Sequence, residues 1–496
     1  DDHYLLFIDD VIKDNLQEIF PGFHIHGAWS VKLTRDAEMN IGDEFIGDIA
    51  EKIEKQLEKR EVGLATRLLY DKSMPPAVKE FIQKYLQVPL EEMVEGGRYH
   101  NLKDLGSLPN PSKTKLTAAS WPAVPHGGFN NHCSIFQSIA EKEKLLHLPY
   151  HSYNYILRFF NEAAIDPKVQ EIFVTLYRVA ADSHIVNALI SAAKNGKKVT
   201  VFVELKARFD EANNLKWSKK MKAAGIRIIN SIPGLKVHAK VALVKRQDQM
   251  FSFMATGNFN ESTGRFYTDH VFFTTRPEYG EELVMLFNYL QSRVQPAVYG
   301  KIPFQHLLVS QFNMIKRLNK LIEREIKNAK DGKPAGIIIK LNNLQERDMI
   351  ARLYDASKAG VKVQLLVRSI CCLAPGVPGQ SENIVVHRLV DRYLEHARIF
   401  AFHNDGNPEY YMGSADWMNR NLHSRIEVVF PVSDPALASE LEHILQLQLK
   451  DNQKAVLLVS DITTGNCKNV KTLTESQEPL AAQQAIYEYV KNNVKM

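Results

Sequence analysis

Only four cysteines occur among the 496 residues, Cys133, Cys371, Cys372 and Cys467. Their number and irregular spacing exclude a disulfide framework, and no Cys/His spacing suits zinc. Reduced thiols in a cytoplasmic protein are expected. Long apolar runs are missing too, and nothing approaches the ~20 residues that span a bilayer. Gly336-Ile337-Ile338-Ile339, for example, is cut off by Lys340. Any membrane association is therefore expected to be peripheral and made through partners. Charge of one sign is also scarce, with 62 Lys+Arg against 57 Asp+Glu and a net charge of +5. That excludes a nucleic-acid-coating surface. It leaves room for a locally basic cleft, because field focusing depends on where charges lie. The chain lacks an initiator Met and a charged-then-apolar leader, opening at Asp1-Asp2 in what reads as the middle of a domain. A fragment or processed form is expected.

What remains is ordinary for a globular protein, 45% hydrophobic and 24% charged, and long enough for about three domains. His24 to Leu33 alternates like a strand. Glu44 to Arg60 places Phe45, Ile49, Ile53 and Leu57 at i, i+4 spacing, which predicts an amphipathic helix. A second helix runs from Pro76 to Tyr85, and Pro109 to Lys113 reads as a linker. After it the rhythm changes to strand (Glu171–Leu176), helix (Ile185–Asn195, stopped by Gly196), strand (Lys198–Val203). That order implies parallel pairing with a right-handed crossover.

The same rhythm returns about 164 residues later: Ile337–Ile339, Met349–Ala359 stopped by Gly360, then Lys362–Val367. Each copy is followed by a histidine, a cation two residues on, and a glycine element. In the first these are His238, Lys240 and Gly257-Asn258-Phe259-Asn260; in the second, His396, Arg398 and Gly413-Ser414-Ala415-Asp416. The His-to-Gly separations are 19 and 17, close enough to argue for duplication. The predicted fold is α/β: a head domain over 1–114, then two similar catalytic domains over 115–305 and 306–496, meeting across a basic cleft.

Residues i and i+2 of a strand share a face, so each histidine is expected to project beside its cation. A neutral imidazole is a nitrogen nucleophile, and a cation can neutralise oxygens of a transferring phosphoryl group. Asn258, Asn260 or Asp416 could orient an imidazole through its second nitrogen. Glu395 and Asp416 near His396 would favour its protonated form, whereas asparagines would leave His238 neutral. His238 is therefore expected to attack and His396 to act as acid. Arg178, Arg208 and Arg368 fall at or just beyond C-terminal ends of parallel strands, where open α/β sheets bind ligands.

The duplicated His-x-Lys pattern resembles the phospholipase D superfamily, with Arg398 departing from the usual lysine. Thr175-Leu176-Tyr177-Arg178, Val203 to Asp210, Gly257 to Glu261 and Tyr267-Thr268-Asp269 narrow the match. So do Leu366-Val367-Arg368, Asp391 to His396, Ser414 to Met418 and, upstream, Gly96 to Asn101. Together they resemble polyphosphate kinase over essentially the whole chain. The resemblance implies reversible transfer of the ATP γ-phosphate to inorganic polyphosphate, with His238 phosphorylated and His396 facing it against the phosphate. It implies that Tyr267 and Arg368 contact ATP, and that Arg178 and Arg208 hold phosphate oxygens bound to Mg²⁺. Nothing here matches the small helical domain that the family carries before its head. A homo-oligomer without nucleic-acid partners is expected. The alternatives are a phospholipase D-like phosphodiesterase and a non-catalytic polyanion-binding scaffold.

Overall fold

In the computed structural model the described residues are 3–35, 49–61, 65–111, 116, 119–130, 132–461, 466–471 and 478–493. The chain forms two compact units: Asp1–Asp43 with Glu51–Ser120, and Trp121–Met496 with Glu44–Ala50. In the smaller one, helices accompany a three-stranded sheet of Val31–Arg35, Ala65–Asp71 and Met93–Gly96, with Ala65–Asp71 in the middle. The strand predicted from His24 is only Val31–Arg35, because Ala65–Asp71 offers ladder partners to those residues alone. Upstream, the Ser30 carbonyl accepts one bond from the Asp71 N–H at 3.1 Å, and among the described residues the rest of the alternation has no ladder partner. The first amphipathic helix is described over Ile49–Glu61, with Ile53 fully buried; Phe45 lies outside the described residues. The second is Pro76–Leu86. Pro109 to Pro111 is irregular and exposed, while Ser112 and Lys113 lie outside the described residues.

The larger unit contains two sheets with one strand order. The first runs Tyr267–Thr274, Met250–Ala255, Val241–Arg246, Val169–Leu176, Lys198–Val203, Arg227–Asn230. The second runs Val428–Val432, Glu409–Gly413, Arg398–Phe402, Gly336–Leu341, Lys362–Val367, Ile384–Leu389, with extra strands at both edges. In each, three parallel strands are joined to antiparallel ones. The crossover helices start and stop alike. His184–Lys194 is capped by Ser183, whose hydroxyl accepts from the Val186 N–H at 3.2 Å, and Arg347–Lys358 by Glu346, which accepts from Met349 at 2.7 Å. Gly196 and Gly360 follow at φ +79° and +89°, a left-handed backbone that glycine adopts without strain.

The halves do more than face each other. One apolar core contains Phe272, Tyr279 and Leu286 from the first with Ile399, Met412 and Phe430 from the second. Phe272 and Phe430 stack with centroids 5.8 Å apart. Full burial of such side chains stabilises by roughly 1.5–3 kcal/mol each, so the halves fold as one body.

Candidate active site

Two short parallel ladders stitch the halves together, and a histidine follows each. Lys236–Val237 pairs with Arg425–Ile426 of the second half, and Leu394–Glu395 pairs with Tyr267–Thr268 of the first. Beyond each ladder the chain leaves the regular strand, still held by backbone bonds. The N–H groups of His238 and Ala239 both donate to the Ile426 carbonyl, at 2.9 and 3.1 Å. The Ala397 N–H donates to the Thr268 carbonyl at 2.8 Å.

This exchange puts each imidazole against a carboxylate of the other half. His238 Nδ1–H donates to Glu427, with Nδ1–O distances of 2.9 and 3.0 Å. His396 Nδ1–H donates to Asp269, at 2.9 Å from both oxygens. Glu427 also accepts from Ser414 Oγ and from Asn421 Nδ2 at 2.7 Å, and Asp269 from Thr256 Oγ1 at 2.6 Å. With Nδ1 committed, Nε2 is the nitrogen His238 has left for chemistry, whereas Nε2 of His396 is met by the Arg398 guanidinium.

Among the described residues none of the expected orienting groups, Asn258, Asn260 or Asp416, is hydrogen-bonded to an imidazole. Asp416 binds Arg398, with Nη2–Oδ2 at 3.0 Å, and the Asn342 N–H at 2.8 Å. Asn260 Oδ1 accepts from the N–H groups of Ser262 and Thr263, while Asn258 Oδ1 is buried without a partner among the described residues. Glu395 points away from His396, into a network with Lys340, Thr268, Gln448 and Gln483. The glycines are not equivalents either. The ladders align Ala255 with Gly413, so Thr256 matches Ser414 and Asn258 matches Asp416. A Cβ at Gly257 would lie 2.2 Å from Asp269 Oδ2, and one at Gly413 2.3 Å from the Val428 carbonyl.

The cations differ in placement. Lys240 does not project along a strand beside His238; its ammonium turns back to the His238 carbonyl, 5.3 Å from the Tyr177 ring centroid. Arg398 begins its strand, with Nη1 3.2 Å from His396 Nε2. Arg425 Nη1 lies 3.9 Å from Glu427. Tyr177 meets His238 edge-to-face at 4.6 Å, and Tyr267 lies tilted against His396 at 5.1 Å. Arg368 Nε donates to Asn342 Oδ1 at 3.1 Å. Arg178 and Arg208 lie toward solvent, Arg178 ion-paired with Asp210 at 3.1 Å and Arg208 over the Phe209 ring.

Burial, then Lys240, Arg425 and Arg398, drives the His238 pKa well below the ordinary imidazole value. Burial also lowers His396, but Asp269 opposes it. Burial raises Glu427 despite Lys240 and Arg425. At Asp269 burial pushes upward too, yet His396 and Thr256 hold the carboxyl below its usual value. His238 is thus the more firmly neutral imidazole of the two. Burial sends Lys240 far below the usual lysine value, a shift that an arriving anion would reverse.

Asp269, Glu427, Arg425 and Tyr177 were not chosen from the sequence. A signal existed: Asp269 and Glu427 each lie 31 residues after the histidine of their own half, and Thr256 and Ser414 each lie 18 after. Among the described residues no group of three or more His, Cys, Asp or Glu is placed to hold a metal ion, and no helix is long and apolar enough to cross a membrane. The four cysteines are free.

Fold and site together define a duplicated α/β enzyme with one two-histidine, cation-lined centre shared by its halves. Models of the polyphosphate kinase middle domain, C-terminal domain 1 and C-terminal domain 2 match residues 1–108, 134–296 and 307–483. The chain is 38% identical to polyphosphate kinase of Vibrio parahaemolyticus over 501 residues, covering 98% of this chain and 70% of that protein. Against the Escherichia coli K12 polyphosphate kinase the identity is 38% over 503 residues, covering 98% and 71%. The crystal structure of polyphosphate kinase from Porphyromonas gingivalis superimposes with a TM-score of 0.82 at 41% identity, covering 99% of this chain and 71% of that one. The chain belongs to the polyphosphate kinase family, and is accordingly a phosphotransferase.

Proposed function

We propose that the chain moves phosphoryl groups between ATP and inorganic polyphosphate through phosphorylated His238. The carrying observation is the bond from His238 Nδ1 to buried Glu427, which leaves Nε2 with its lone pair in a neutral ring. That lone pair attacks the γ-phosphorus in line, breaking its bond to the β–γ bridging oxygen and releasing ADP. A terminal oxygen of the polyphosphate chain then attacks phosphorus, breaking the P–N bond and restoring neutral His238. The reverse direction exchanges one phosphoanhydride for another. Lys240, Arg398 and Arg425 neutralise the transferring oxygens. His396 is neutral before substrate arrives, its pKa lowered by burial. The incoming phosphate charge raises it, and Nε2 takes up a proton with ionised Asp269 stabilising the imidazolium. The ring then acts as acid and hydrogen-bond donor to the phosphate.

Tyr267 and Arg368 contact the nucleotide in this reading, while Arg178 and Arg208 hold phosphate oxygens that carry Mg²⁺. Arginine has no lone pair for a metal, so Mg²⁺ enters as part of Mg-ATP. A phosphodiesterase would use the same histidines but release its intermediate to water. Incubation with γ-labelled ATP separates the readings. Acid-labile, alkali-stable label on the protein, absent in His238→Ala, is the expected result; undiminished label in that variant sinks the assignment.

A further inference from the structure

The C-terminal helix Ala482–Asn492 bonds the segment before the second histidine through Gln483, and its apolar face lies in the cluster that also takes in Tyr393. It starts where the Ala482 N–H donates to Asp451 Oδ2 at 2.6 Å. From there it straps both halves together. Ile486, Tyr487 and Val490 pack with Val124 and Tyr150 of the first half and Ile444 of the second. Tyr487 stacks on Trp121 at 5.4 Å.

Gln483, fully buried in the first turn, turns toward the segment before His396. Its Oε1 accepts from the Tyr393 N–H at 2.9 Å, and its Nε2 donates to the Tyr393 carbonyl at 2.9 Å and to Glu395 Oε1 at 2.7 Å. The amide therefore engages both backbone groups of Tyr393, as a neighbouring strand would. Glu395 passes the restraint on. Its other oxygen accepts from Thr268 Oγ1 at 2.9 Å, and that hydroxyl oxygen lies 3.3 Å from the His396 backbone nitrogen. Thr268 also precedes Asp269, the acid that orients the imidazole. Lys340 already pairs with Glu395, so Gln483 contributes geometry where charge is already balanced.

We infer that Gln483 is a positioning residue for His396, fixing through Tyr393 and Glu395 the ladder that aims its imidazole. This rests on the acid role proposed above for His396. It makes the C-terminal helix part of the catalytic apparatus. A misplacement near 1 Å can cost about a hundredfold in rate, so Gln483→Leu should slow single-turnover labelling of His238 by roughly tenfold or more. The KM for ATP should rise far less than the rate falls, because the contact reaches the nucleotide only through the Tyr267 end of the same ladder.

The test is a double-mutant cycle on the full chain with γ-labelled ATP. Rates are measured for the parent, Gln483→Leu, His396→Ala and the double variant. Gln483→Leu should cost nothing further once His396 is absent. Val490→Ala, which loosens the same helix away from Glu395, controls for thermal stability and should leave the labelling rate near parental. An equal slowing by Gln483→Leu in both backgrounds, or a matching loss in Val490→Ala, overturns the positioning role. Unchanged labelling in His396→Ala alone would instead remove the acid role, and the inference with it.

Discussion

Replacing Glu427 by Gln keeps the shape of the group that holds His238 and removes its charge. The carboxylate is fully buried and accepts from His238 Nδ1, Asn421 Nδ2 and Ser414 Oγ. An amide offers one accepting oxygen and one NH₂ for the same three neighbours. If the NH₂ faces His238, Nδ1 must accept and the ring proton moves to Nε2. The lone pair needed for attack is then gone. The comparable Asp→Asn change behind a serine-protease histidine costs ~10⁴ in kcat through the wrong tautomer. A loss of roughly a thousand- to ten-thousandfold in His238 labelling is expected, or about 4–5.5 kcal/mol of barrier. The assay is rapid-quench single-turnover labelling with γ-labelled ATP, alongside nucleotide affinity and a thermal melt. Affinity should change little, because Glu427 faces the histidine. Labelling within about threefold of parental, in a variant that still folds, would refute the reasoning.

His396→Ala should label His238 much more slowly and place no phosphate on any other histidine; peptide mapping that finds phosphate on His396 in the parent reverses the two roles. Arg178→Ala or Arg208→Ala should raise the KM for Mg-ATP and polyphosphate by about tenfold or more, as expected when a phosphate contact worth ~1.5–3 kcal/mol is lost. Lys55→Ala, on an exposed helix face of the smaller unit, should do nothing measurable; equal losses at all three positions would mean diffuse attraction. Stability should fall with acidity in a defined window. Burial depresses His126 from 6.5 to about 4, and His151, His238 and His270 move in the same direction. Between those values the unfolded chain binds protons that the folded one refuses, so the stabilisation present above about 6.5 is lost progressively toward about 4. Urea midpoints that rise on acidification through that window would contradict this.

The repeated strand–helix–strand units were legible because their signals are local: hydrophobic runs of fixed length, a helix between them, a glycine at positive φ to stop it. The strands Lys198–Val203 and Lys362–Val367 fall where the pattern puts them. The histidines were legible as a pair for the same reason. Their partners were hidden, because Glu427 and Asp269 become neighbours of His238 and His396 only through pairing between the halves. Proximity in the chain suggested Glu395 and Asp416 instead, and packing turned both toward other cations. The 24–30 alternation failed for a related reason: extended backbone becomes a strand only beside a partner, which sequence period cannot supply.

The crossing of carboxylates has a consequence for ancestry. Each half holds a histidine, a cation, and an acid placed for the other half's histidine, so one half alone has a nucleophile without its orienting partner. Two copies of a single half related by a twofold axis would have closed both pairs at once. In one chain the two sets of neighbours can differ, as Lys240 differs from Arg398 and Tyr267 from Arg425, at fixed stoichiometry. The division into attacker and acid proposed for the two histidines is one that a symmetric pair of identical chains could not have had.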